Sequence, residues 1–435
     1  SQYSVVGERV LDADHGVHLI PIQSSMGYAE SALTEPWTCV NTAYRLRYRT
    51  GLKKGGTTWI IGGGGNQDRE YAISAGFDAS SHPARLLMTN VPPDFSAWLQ
   101  AQAADLQVPV LMVDDVADPP VEQIDDIVML DPEPSLIEAV SARLGPFGIA
   151  AIVADTPLPR KVKVDVGRVH YNRWLYVGGP GPDISKVYKG VPVRPTLQAD
   201  GRVWFVGAGG PMGQMHVQRA LQSSNPPRTI FCTARSERRL RIVESIYAAD
   251  AAKQGIEFIC VSREDERVYR DTLDRVGAAG FNDIMVLAPD AGAICEAGDY
   301  IAPRGVMNVF AGVARGTMAD LNLNDVYLND ARVIGHSGLT TEDMEITLAA
   351  VESGRLTPSR LVAAIGSLDA ARKGLQAVSD AVFPGKIVIY PHVKEFPLTV
   401  LPELQDTLPT VYAQLKDGRE WTTEAEKEFL RLMLQ

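Results

Sequence analysis

Residues 202–216, RVWFVGAGGPMGQMH, run from an apolar, β-like stretch into closely spaced glycines and then into a helix-compatible segment. A strand that turns through glycines straight into a helix is the opening of a βαβ unit, and it restricts the fold more than any other part of the chain. Gly207 permits the tight turn, Gly209 or Gly210 lets a ligand approach the backbone, and Gly213 lets the helix pack close to its strand. Pro211 and Met212 stand at the helix start, where free N–H groups favour an anion such as a pyrophosphate. The spacing is one residue longer than G-x-G-x-x-G, and a glycine-rich turn with no ligand is the alternative reading.

Further apolar runs follow at the spacing of a parallel sheet. Thr229–Ala234, Phe281–Ala288 and Gly305–Gly312 read as buried strands separated by amphipathic segments. Alternating strands and helices predict an α/β, doubly wound parallel sheet that binds its ligand at the carboxyl ends of the strands. Thr233, Ala288, Phe310 and Gly312 would converge there with the glycine turn. The second strand ends in TARSERR (233–239), without an acidic residue at Ala234 to hold a ribose 2′-hydroxyl. Arg235, Ser236 and Arg238 suit a 2′-phosphate, which favours NADP over NAD; a solvated basic turn is the alternative.

The pattern occurs twice. Residues 57–68, TTWIIGGGGNQD, align with 202–213 and place Gly62 on Gly207, Gly64 on Gly209 and Asp68 on Gly213. Farther on, Val169–Gly178 aligns with Val326–Gly335, sharing V-x-x-N and an apolar residue before the final glycine. Two tandem Rossmann-like units are expected at 51–193 and 194–340, with 1–50 and 341–435 flanking them as remnants of another domain. The first unit reads as the degenerate one, because Asp68 in a first helical turn would compete with a pyrophosphate. Pro192–Gly201 reads as a linker, and the strand-like Tyr171–Gly178 and Leu328–Gly335 as edges able to pair between units.

Composition excludes several function classes. The 435 residues are 45% hydrophobic and 22% charged, which is ordinary for a globular protein, and the formal charge of −11 argues against nucleic acid. No apolar run approaches a membrane span and no signal-peptide pattern opens the chain, so a cytoplasmic protein is expected. Cys39, Cys232, Cys260 and Cys295 are too far apart for a metal knuckle and read as free thiols.

Other residues have bland readings beside the chemical ones. Glu35 is a candidate metal ligand, although Glu35-Pro36 also suits a helix entry with proline in its first turn. Asp12, Asp14, His15 and His18 have ligand chemistry but read better as a solvated turn. His170, within a strand, and His336, after one, read as packed histidines rather than catalytic bases. Thr423 and Glu426 read as a capping box opening the last helix.

Gly27–Val40, Gly207–Gly213, Asn308–Gly312, Val333–Gly338 and Gly385–Pro391, in this order, resemble the zinc-type medium-chain dehydrogenase family, in its threonine, polyol and sorbose-phosphate branch. The resemblance implies hydride transfer between NAD(P) and an alcohol, polyol or sugar phosphate, and a homo-oligomer stays open. It also implies that Glu35 matches a carboxylate zinc ligand. The family's other ligands, a cysteine and a Gly-His-Glu motif ahead of this glutamate, do not occur here. The chain therefore reads as the cofactor-binding part of a larger enzyme, with zinc expected only alongside the missing catalytic domain. The alternative is a non-catalytic NAD(P)-binding or assembly module.

Overall fold

The computed structural model describes residues 5–12, 18–65, 68–188, 196–336, 338–380 and 382–434. The first sheet contains β1 (Thr57–Gly62), β2 (Arg85–Thr89), β3 (Val110–Met112), β4 (Ile124–Leu130), β5 (Leu144–Val153) and β7 (Leu175–Gly179), with β6 (Val162–Asp165) outside it. The second contains β8 (Arg202–Val206), β9 (Thr229–Ala234), β10 (Glu257–Ser262), β11 (Phe281–Val286), β12 (Ile301–Val309) and β14 (Arg332–Gly335), with β13 (Met318–Leu321) outside it. Their spatial orders are β3-β2-β1-β4-β5-β7 and β10-β9-β8-β11-β12-β14. All pairs within both sheets are parallel. This is the doubly wound Rossmann order, twice.

The repeat extends to detail. Trp59 donates its indole N–H to Thr89 Oγ1 at 2.9 Å, and Trp204 does the same to Thr233 Oγ1 at 2.9 Å. Both β5 and β12 break register at their starts, beside Phe147 (φ 59°) and Arg304 (φ 58°). The N–H groups of these two residues donate to the carbonyls of Asn172 and Asn329, the asparagines of the repeated V-x-x-N. That motif fixes a bulge in each unit.

Helices cover the sheets unequally. The helices include α1 (Tyr28–Thr42), α2 (Pro93–Asp105), α3 (Pro134–Ser141), α4 (Val166–Tyr171), α5 (Pro211–Leu221), α6 (Glu237–Lys253), α7 (Glu266–Gly277), α8 (Ala291–Gly298), α9 (Asn324–Leu328), α10 (Thr341–Glu352) and α11 (Thr423–Met433). Between β8 and β9 lies α5, but between β1 and β2 the described residues form turns and bends with no helix. Asp68 is therefore not in a first helical turn as expected; it is an exposed turn residue.

The two units pack edge to edge. Strand β6 pairs antiparallel with β13, Val162 opposite Leu321 and Asp165 opposite Met318. A Cβ on Gly178 would lie 2.5 Å from Tyr327 Cβ, and one on Gly335 would lie 2.4 Å from the Val169 carbonyl oxygen. Only glycine permits this approach, which explains the final glycine of each repeat segment. The expected edge strands are shorter than read. Val169, His170 and Tyr171 lie in α4 and Leu328 in α9, so each repeat segment is a short helix, a turn and a strand. Trp59, Ile152, Trp204, Met307 and Tyr327 belong to one continuous core shared by both sheets.

The remaining elements form a third layer. Strands β15 (Val362–Ser367), β16 (Lys386–Tyr390) and β17 (Thr399–Val400) make a small sheet, and its residues share a core with α1, α5, α6 and α11. The start of α1 is held by a remote carboxylate. Buried Glu426 accepts the N–H groups of Tyr28 at 2.5 Å and Ala29 at 2.8 Å and the hydroxyl hydrogen of Tyr390 at 2.7 Å. The expected capping box is thus displaced: Thr422, not Thr423, caps α11, accepting from Ala425 N at 3.0 Å, and Glu426 turns away to α1. Pro36 lies inside α1 rather than in its first turn, which corrects the helix-entry reading of Glu35-Pro36. No helix among the described residues is long and apolar enough to cross a membrane.

Candidate functional site

The glycine turn of the second unit has the geometry of an anion cradle. Gly207, at φ 92°, donates its N–H to the Thr233 carbonyl at 2.8 Å, and Ala208 donates to the same oxygen at 2.9 Å. These bonds fold the chain back over the end of β9. A Cβ on Gly213 would fall 2.5 Å from Ala208 Cα, so glycine alone lets α5 sit this close to its strand. No side chain caps α5, and a Cβ on its N-cap Gly210 would meet nothing within 4 Å. An uncapped helix N-terminus beside an uncrowded Gly210 suits an anion such as a pyrophosphate by its field.

The other expected residues gather around this turn. A Cβ on Gly207 would lie 3.0 Å from Ala288 N, and one on Gly209 would lie 3.3 Å from Ala234 Cβ. Ser236 is the N-cap of α6; Arg235 and Arg238 are exposed beyond β9, with Arg238 donating to the Val382 carbonyl at 3.4 Å. Arg239 was not among the expected residues. Its Cβ lies 2.9 Å from the position a Gly209 Cβ would take, closer to the turn than either expected arginine is shown to be. Its place in the first turn of α6 is the signal that would have found it.

Phe310 and Gly312 follow β12 at the other end of the crevice. Phe310 packs edge-on against His216 of α5, centroids 4.7 Å apart, and stacks on His336 at 5.7 Å. His216 Nδ1 is 2.7 Å from the Tyr44 hydroxyl, and His336 Nε2 is 3.3 Å from Thr42 Oγ1. Burial pushes both imidazoles down, His336 to about 4, so both are neutral at physiological pH. His170, expected in a strand of the first unit, lies in α4, and its Nδ1 is 2.9 Å from the Val309 carbonyl.

The corresponding region of the first unit is built differently. A Cβ on Gly62 would fall 2.0 Å from the Asn90 carbonyl, and one on Gly63 2.0 Å from that of Asp131. Tyr71 donates its hydroxyl hydrogen to Asp131 Oδ2 at 2.7 Å, and Arg69 lies 3.6 Å from Asp131 and 3.5 Å from Asp155. The strand ends that would face a nucleotide are thus occupied by an aspartate, an arginine and a tyrosine.

Glu35 lies exposed on α1 and accepts the Cys39 thiol hydrogen at 3.4 Å. Burial and then the Glu35 charge push the Cys39 thiol up to about 12, so it stays protonated. Lys386 Nζ is 4.0 Å from Met212 Sδ, and burial lowers its pKa against the opposing effects of Glu35 and Cys39. Zinc catalysis needs three protein ligands. No group of three histidine, cysteine, aspartate or glutamate side chains able to hold a metal occurs among the described residues. Glu35 and Cys39 alone fall short of the three protein ligands that a catalytic zinc needs. Of the other proposed ligand cluster, Asp14 and His15 lie outside the described residues.

No protein-family model matches the chain. Mannitol-1-phosphate 5-dehydrogenase of Aliivibrio fischeri is 31% identical over 54% of this chain and 57% of its own length. L-sorbose 1-phosphate reductase of Klebsiella pneumoniae is 29% identical over 54% of this chain and 56% of its own. The chain therefore spans little more than half the length of these curated relatives. Among solved structures, an alcohol dehydrogenase of Thermotoga maritima is 20% identical, covering 45% of this chain and 52% of that one at a TM-score of 0.37. 2R,3R-butanediol dehydrogenase of Bacillus subtilis is 18% identical, covering 45% and 52% at 0.36. Scores this low carry no argument about this chain. Over about half its length, the chain is similar to sugar-phosphate dehydrogenases and reductases.

Proposed function

We infer that the second unit binds NAD(P) and that the chain serves an oxidoreductase acting on an alcohol, polyol or sugar phosphate. The observation that carries this reading is the uncapped start of α5 at Gly210, open to an anion and framed by Gly207 and Gly213. Mannitol-1-phosphate dehydrogenase and sorbose-1-phosphate reductase among the relatives point to the substrate class.

The chain's own residues divide the binding. The N–H groups at Met212 and Gly213 would face the pyrophosphate, while Arg235, Ser236 and Arg238, joined by Arg239, would surround the adenosine ribose and favour a 2′-phosphate. Ala288 would border the crossing point, and Phe310 and Gly312 the nicotinamide. Bound NAD(P) supplies the hydride acceptor or donor. Lys386, beside Met212, adds positive charge near the phosphates. Glu35 is near enough to Lys386 for its charge to hold that amine's pKa up against burial.

The first unit acts in this reading as a structural partner whose ion pair occupies its own strand ends. Its packing against the second unit favours the alternative of an assembly module, and a homo-oligomer would form through other surfaces. Free cysteines among the described residues fit a cytoplasmic setting. The test is calorimetric titration with NADPH and NADH, followed by turnover assays on mannitol 1-phosphate and L-sorbose 1-phosphate. Binding of neither dinucleotide would overturn the reading; binding without turnover would favour the assembly module.

A further inference from the structure

The loop Phe310–Gly312 leaves β12 in the half of the second sheet made by β11, β12 and β14. With a pyrophosphate at the start of α5, this half receives the second mononucleotide, the nicotinamide. Beside His216 and His336 of the second unit, two side chains of the first unit, His170 and Tyr171, flank the loop. His170 Nδ1 lies 2.9 Å from the Val309 carbonyl oxygen. A carbonyl only accepts, so Nδ1 carries the proton and the neutral ring keeps its lone pair on Nε2. Burial lowers the His170 pKa and so preserves that state.

A Cβ on Gly312 would lie 3.9 Å from His170 Nε2 and 2.6 Å from the Tyr171 hydroxyl oxygen, so both tips face this glycine. Tyr171 is 42% exposed, which leaves the edge open, and its ring lies under Arg315, 5.1 Å away. Asn172 Oδ1 accepts from Arg315 Nε at 2.8 Å and holds the guanidinium there.

The repeat supplies a control. Tyr327 occupies the position in the second unit that His170 occupies in the first. Its hydroxyl is 2.7 Å from the Thr156 carbonyl, 2.7 Å from Asn324 Oδ1 and 3.1 Å from Leu158 N. That group is spent within the protein, whereas the His170 Nε2 lone pair remains for a ligand.

We propose that the first unit completes the nicotinamide half of the second unit's site: His170 fixes the Val309 carbonyl through Nδ1 and accepts the carboxamide N–H of a bound nicotinamide at Nε2. This rests on the dinucleotide reading above. It gives the unit without a nucleotide cradle a binding role, supplied across the boundary between repeats.

The test uses the full chain and two ligands, NADPH and 2′-phospho-ADP-ribose, which lacks the nicotinamide. His170→Asn keeps an N–H for Val309 and removes the second acceptor. It should weaken NADPH binding about 3- to 10-fold and leave the nicotinamide-free ligand within about twofold. Unchanged NADPH affinity, or equal loss for both ligands, would overturn the proposal. Should this variant fail to fold, His170→Gln, which keeps an amide oxygen acceptor at about the Nε2 position, should leave both ligands within about twofold, and a selective loss of NADPH would overturn the proposal. If the unaltered chain binds neither ligand, the dinucleotide reading fails and the proposal falls with it.

Discussion

The two glycine turns of this chain leave equivalent strands and end in different surroundings. In the second, Gly207–Gly213 delivers the backbone into α5, whose uncapped N-terminus faces open space. In the first, Gly62 and Gly63 press against the carbonyls of Asn90 and Asp131, and no helix follows among the described residues. Both turns use glycine for close backbone approach, but only the second presents donors and a helix dipole to an anion. A glycine motif marks crowding; the helix behind it makes a phosphate site.

The largest effect should come from Gly213→Asp. A Cβ there would sit 2.5 Å from Ala208 Cα, so the substitution displaces α5 and adds negative charge at once. Dinucleotide affinity should fall more than about 100-fold, with a loss of about 1–3 kcal/mol in stability from overpacking. Asp68→Gly, at the aligned position of the first turn, should change neither. Calorimetry and thermal melting of both variants would break the comparison if Asp68→Gly alters binding or Gly213→Asp does not.

Acid should separate the units next. His336, held to about 4, is neutral in the fold and titrates near 6.5 when unfolded, so its contribution is complete above that value. It is lost as pH falls from about 6.5 toward 4, on the order of 3 kcal/mol by the lower limit. His216, also lowered by burial, adds in the same direction; the first unit contributes only His170 in this way, with Gly179 where the second has His336. Hydrogen exchange at pH 7 and pH 5 should show β12 and β14 losing protection before β1 and β4. Equal loss in both sheets would contradict this.

The smallest effect concerns cofactor choice. Arg235→Ala should weaken NADPH about fivefold to tenfold and leave NADH nearly unchanged, because an exposed guanidinium gains only part of a charge-assisted bond. A preference for NADH in the unaltered protein would remove the 2′-phosphate assignment.

Much of the fold was legible because its signals are local. Thr229–Ala234 is the observed β9, and Phe281 opens β11 as expected, since buried parallel strands read as short apolar runs. The glycines of the second turn were legible for the same reason. What was missed depended on distant partners. Val169 and His170 look β-like, yet Asp165 accepts the Arg168 N–H at 3.0 Å and starts a short helix there. Glu426 looks like a local cap, but its ligands are the start of α1, nearly the whole chain away. Asp68 was aligned by spacing onto a helix that the first unit does not form, and the residues that occupy that unit's strand ends, Arg69, Tyr71 and Asp131, meet only in three dimensions.

The central claim is that one of the two turns holds a dinucleotide and the other does not. Its most direct test is the stoichiometry of NADPH binding by calorimetry, in the unaltered chain and in Gly210→Asp. A side chain at Gly210 meets nothing within 4 Å, and aspartate is a favourable N-cap, so this variant should fold with equal or greater stability while its carboxylate takes the place of the phosphates. The account predicts one site per chain in the unaltered protein and none in the variant. Two sites per chain, or one site surviving in Gly210→Asp, would contradict it.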